Sequence, residues 1–139
     1  MSSILRYLGL TVFVMVIFIC FTNCKAVKGK SPRNESEDFV SFYNRFHQDS
    51  LFQVSRYKYP MGGKLLKGSV ETAWTKQNMP LMLTKIYDVD TSEYQVVFKK
   101  TKKVFTQKVW IENSDFSSEY RFELIKSKWY LVYILDQNF

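Results

Sequence analysis

Phe39, Phe42, Tyr43 and Phe46 recur at the i, i+3, i+4, i+7 spacing of one face of an α-helix. Four aromatic rings in a row cannot stay in water, because each large apolar side chain forfeits roughly 1.5–3 kcal/mol if left exposed. Any fold open to this chain must cover the stripe, and the later half, rich in β-formers, is the available cover. The sequence therefore predicts an α+β domain: an N-terminal helix packed on a curved antiparallel sheet of four to six strands.

Asn34 with Glu37 three positions on forms a capping pair, and Glu35, Glu37 and Asp38 suit a helix N-terminus. The helix is expected from Glu35 to His47, with Asp49-Ser50 capping a short continuation over Leu51–Arg56. Tyr57 to Pro60 reads as a short strand leading into a turn at Met61-Gly62-Gly63. Glu71–Gln77, around Trp74, reads as a loop or short helix. Strands are expected at Leu81–Tyr87, Glu93–Lys99, Val104–Glu112, Tyr120–Ile125 and Trp129–Asp136. Tyr120, Phe122 and Leu124 alternate with Arg121 and Glu123, so the first set points inward. Trp129–Leu135 is apolar on both faces, as in a central strand, and Lys126-Ser127-Lys128 is short enough for a hairpin turn.

The N-terminus is an address. Arg6 precedes an apolar run from Leu8 to Ile19, followed by a short polar patch ending in Cys24. This order resembles a bacterial lipoprotein signal over residues 1–23, in which the Cys24 thiol receives a diacylglyceryl group. Two or three acyl chains, at about 0.8 kcal/mol per buried methylene, make a stable anchor. Phe21-Thr22-Asn23 departs from the small residues usual before such a cysteine. An uncleaved membrane helix over residues 7–24 and an ordinary secretory signal with incidental cysteines stay open. Residues 24–37 lack large apolar side chains through most of their length and read as a tether, reaching about 20 Å as a flexible coil. One domain, 38–139, follows.

Beyond residue 23 the chain carries 19 basic and 13 acidic residues, a modest excess that suits a small exported domain as well as an anionic partner. Both cysteines, Cys20 and Cys24, precede the domain, which excludes a disulfide framework or a cysteine-based metal site inside it.

Asp38-Phe39, Phe42, Phe46, Asp49-Ser50-Leu51-Phe52-Gln53, Ser55-Arg56 and Tyr59-Pro60 resemble the opening motif of a lipoprotein family of Gram-negative gut anaerobes, a domain of unknown function. Trp74-Thr75-Lys76 and Lys128-Trp129-Tyr130-Leu131 match its central and final motifs, with Tyr59 where phenylalanine is more usual. The resemblance implies a cone fold similar to nuclear transport factor and ketosteroid isomerase, an envelope address and no settled reaction. It also places an arginine at position 56, where it would bind an anion or brace a carboxylate such as Glu71.

His47, the sole histidine, lies at a helix end where the dipole favours a cation, and Asp49 reads as a cap rather than an acid. Trp74 and Trp110 are candidate pocket or core residues. Lys99 to Lys103 reads as a solvated basic turn that discourages edge pairing. No catalytic residue, metal ligand or cofactor is indicated, and no phosphate-cradling loop, nucleophile elbow or zinc motif occurs. The expected role is non-catalytic binding or interaction at the cell envelope, on its periplasmic side or at an outer membrane. The expected partners are the membrane, through the lipid on Cys24, and an envelope protein, not nucleic acid. The alternative is a small cone-fold enzyme or ligand carrier with a pocket between helix and concave sheet.

Overall fold

The computed structural model describes residues 35–138. The expected signal peptide, Cys24 and most of the tether lie outside the described residues. Two short helices, α1 (Phe39–Gln48) and α2 (Ser50–Ser55), precede β1 (Tyr57–Lys67), β2 (Val70–Thr72), β3 (Gln95–Lys100), β4 (Val104–Trp110), β5 (Ser117–Ile125) and β6 (Lys128–Asn138). The strands form one sheet in the order β2-β1-β6-β5-β4-β3.

The aromatic stripe of α1 is buried as the spacing requires, with Phe46 fully enclosed and Phe39, the least covered, 5% exposed. Its cover comes from distant strands. Phe39 meets Phe105 at 4.6 Å and Trp129 at 4.9 Å, while Phe46 meets Phe122 edge-on at 5.2 Å. Edge and offset contacts of this kind add to plain area burial. Every residue of this core lies between Phe39 and Ile134, so the described segment encloses its own interior.

Four expectations need correction. The sheet is mixed rather than antiparallel: β1 runs parallel to β6 from Gly62↔Tyr133 to Lys67↔Asn138. Next, the expected turn at Met61-Gly62-Gly63 is strand. Gly63 has φ +80°, and a Cβ there would overlap the Ile134 carbonyl oxygen, so the glycine serves close strand approach instead of chain reversal. The peptide before Pro60 is cis. Leu81–Tyr87 is not a strand but a loop ending in a 3-10 turn, Ile86–Asp88. Side chains from elsewhere take its Met82 N and O and its Ile86 N in place of a ladder. Finally, α1 starts at Phe39, not Glu35, because Asp38 is the cap: its carboxylate accepts from Ser41 N at 2.8 Å. Asp49 caps α2 as expected, accepting from Phe52 N at 2.9 Å.

β6 lies inside the sheet, but the expected second cover is partial. Trp129, Leu131 and Ile134 are buried on the helix side, while Tyr130, Val132 and Tyr133 are only half-buried. The inward set changes spacing at Val132, where the β5 register jumps from Arg121↔Tyr133 to Phe122↔Leu131. Such a bulge bends the strand and re-aims its side chains. Lys126 and Ser127 form the β5–β6 turn with φ of 47° and 66°. Both values are positive, as in a type I′ hairpin turn, although neither residue is the usual asparagine or glycine.

Candidate functional site

Three buried polar side chains hold the 80–88 loop over the sheet. Gln53, 1% exposed, uses its whole amide: Nε2 donates to Phe46 O and Met82 O, and Oε1 accepts from Met82 N at 2.9 Å. The Tyr57 hydroxyl lies 2.7 Å from the same Oε1 and 3.0 Å from Pro80 O. Tyr43 accepts from Ile86 N at 3.0 Å and donates to Gln107 Oε1 at 2.6 Å. Burial pushes the phenol pKa values of Tyr43 and Tyr57 well above their ordinary range, so both stay protonated donors.

Under this loop, on the helix side of the sheet, lies a cavity of about 250 Å³. Leu81, Met82, Ile86, Val89, Val109 and Phe116 make it largely apolar; Gln107, Ser118 and Tyr120 supply its polar atoms. Gln107 is 3% exposed, and with its oxygen taken by Tyr43 its two N–H hydrogens have no protein acceptor among the described residues. Ser118 Oγ donates to Asp136 Oδ1 at 2.6 Å. Burial raises the Tyr120 pKa, the hydrogen bond with Ser118 pulls the other way, and nearby Asp136 adds to the rise. Space between α1 and the sheet, by contrast, is filled by packed rings.

The residues singled out from sequence lie apart from one another. Arg56 braces a carboxylate, but that of Glu37 rather than Glu71: its Nη2 is 2.7 Å from Oε1 and its Nη1 3.1 Å from Oε2. Glu71 instead faces Lys64. Glu37 Oε2 also accepts from Trp129 N, and the Arg56 guanidinium lies 4.6 Å from the Phe52 ring centre. A planar fork suits this paired and stacked position. Trp74 is a core residue whose Nε1 donates to Ile134 O at 2.8 Å. Trp110 ends β4 half-buried, with Lys108 Nζ at 5.8 Å from its ring. Neither tryptophan lines the cavity.

His47 is not the expected helix-end cation. It is 6% exposed, its Nδ1 lies 2.8 Å from Tyr43 O, and its Nε2 has no partner among the described residues. Desolvation lowers its pKa and outweighs the hydrogen bond with the Tyr43 carbonyl. Among the described residues no group of three His, Cys, Asp or Glu side chains is placed to hold a metal ion, and no helix is long and apolar enough to cross a membrane.

Gln107, Ser118 and Tyr120 were not legible as a site, since nothing in a strand's alternation separates a cavity floor from a core face. Comparison with known families decides the grouping of the chain. A family model described only by likeness, with no activity attached, matches residues 37–139. The chain belongs to this uncharacterised family. Among solved structures, it is similar to a protein from Bacteroides uniformis ATCC 8492 determined by NMR. That likeness has 27% identity and a TM-score of 0.57 over 73% of this chain and 77% of the other. An NTF2-like protein from Bacteroides fragilis NCTC 9343 is 20% identical with a TM-score of 0.49 over 75% of this chain and 48% of the other. A cystatin-like protein from Bacteroides caccae ATCC 43185 is 24% identical with a TM-score of 0.49, covering 73% and 76%. No curated protein matches.

Proposed function

We propose that the protein is a lipid-anchored envelope domain that binds, without transforming, a small apolar group carrying one hydrogen-bond acceptor. The observation behind this is the buried Gln107 amide, whose unclaimed N–H hydrogens stand at an otherwise greasy cavity. These hydrogens face the cavity with no protein acceptor among the described residues, so solvent alone meets them, and a ligand's acceptor would take its place. At about 250 Å³ the space lies below the range usual for drug-sized ligands and fits one ring or a short acyl tail. The filled interior under α1 argues against the deep pocket of a cone-fold enzyme. The anchor rests on Cys24 and the apolar run before it.

Titration with small aromatic and branched-chain amides, followed by backbone amide NMR, tests the binding role. Shifts should centre on Met82, Ile86, Val109 and Tyr120 and vanish in Val109→Phe, which fills the cavity. Equal shifts in the filled variant would refute the assignment. For the anchor, palmitate should label the wild type and not Cys24→Ala; equal labelling removes it.

A further inference from the structure

We infer that the end of the domain at which the chain enters is a docking face for an anionic phospholipid bilayer. This rests on the lipid-anchor reading and adds an orientation to it. The β3–β4 and β5–β6 turns stand side by side at one end of the sheet, joined by a hydrogen bond from Leu124 N to Lys103 O at 2.8 Å. They gather Lys99, Lys100, Lys102 and Lys103 with Lys126 and Lys128. All six lysines are exposed, and none belongs to an ion pair among the described residues. Glu37 N donates to Ser127 O at 2.9 Å, so the chain joins the domain beside these turns.

Acidic groups nearby are mostly engaged. Glu37 is paired with Arg56, Glu123 with Arg121, and Asp38 caps α1, while Glu35 stays exposed. At the opposite end, the loop before β3 and the β4–β5 turn carry exposed Asp90, Glu93, Glu112 and Asp115; Tyr94 and Phe116, 5.9 Å apart, bring the two segments together. Charge is therefore polarised along the strands. Eleven strand residues separate the ends by about 35 Å, several times the physiological Debye length of about 8 Å. Basic turns lying against anionic head groups would leave the acidic end outside the range of repulsion. The tether expected from Cys24 onward enters on the same side, so anchoring and docking do not oppose each other.

The test uses residues 24–139 with Cys24→Ala, which retain the whole core and carry no acyl chain, sedimented with phosphatidylcholine vesicles with or without phosphatidylglycerol. Binding should require the anionic lipid and be lost in about 1 M salt, where the Debye length falls to about 3 Å. Combined Lys100→Gln, Lys102→Gln, Lys103→Gln and Lys126→Gln should weaken partitioning by about tenfold or more. Lys67→Gln with Lys108→Gln should leave it unchanged. Equal partitioning of the four-lysine variant and the parent, or equal binding to neutral vesicles, overturns the docking face. Palmitate labelling at Cys24 reads the anchor separately, so either can fail without the other.

Discussion

A buried imidazole with an orphan nitrogen gives the residue scale its clearest consequence. Burial lowers the His47 pKa, with Lys85 reinforcing the shift, while the Tyr43 carbonyl and Asp88 oppose it. The unfolded chain then binds the proton more readily than the folded one. Stability should be fully present above about pH 6.5 and decline as pH falls below it, until the folded imidazole also protonates. Urea midpoints across this window should slope in the wild type and flatten in His47→Phe; parallel profiles would contradict this role. Losses from Asp38 and Asp49, whose pKa values are lowered chiefly by backbone hydrogen bonds, begin only below about pH 4. The Glu37–Arg56 pair is nearly enclosed, its side chains 23% and 11% exposed. Arg56→Ala strands the carboxylate and removes the stacked guanidinium, so unfolding free energy should drop by about 2–3 kcal/mol.

Elements here are held by their ends and by close approach. Asp49 terminates α1 and starts α2, and Asp49→Ala should lower the urea midpoint by removing the acceptor of the Phe52 N–H. Gly63 matters more, because an added methyl meets backbone that cannot rotate away. Gly63→Ala should open the β1–β6 pairing beyond the bulge, seen as amide exchange rising from Gly63 to Lys67 well ahead of β4 and β5. Unchanged protection there would show that the parallel register does not depend on the glycine. Such a position cannot be told from a turn glycine by sequence, since Met61-Gly62-Gly63 carries the same residues either way. Leu81–Tyr87 misleads for a related reason: its apolar content suits a strand, while Gln53, Tyr57 and Tyr43 supply the partners that let it remain a loop.

For the molecule as a whole, one aromatic interior joins α1 to four strands. Phe46 is completely enclosed and touches Phe42, Tyr57 and Phe122, so Phe46→Ala should cost about 3–5 kcal/mol and lower the single unfolding transition without splitting it. A chain starting at Glu35 should melt within about 2 °C of residues 24–139, because every residue of the core lies beyond the cut.

Sequence alone determined the helix and its aromatic face, the Asp49 cap and four of the six strands to within a few residues. These follow from periodicity and capping, which act over a few neighbours. Tertiary structure decided which carboxylate Arg56 meets, that β1 lies parallel to β6, and that Gln107, Ser118 and Tyr120 share a cavity. Each of those depends on groups dozens of residues apart. Glu37 and Trp129, 92 positions apart in sequence, meet only in the folded domain.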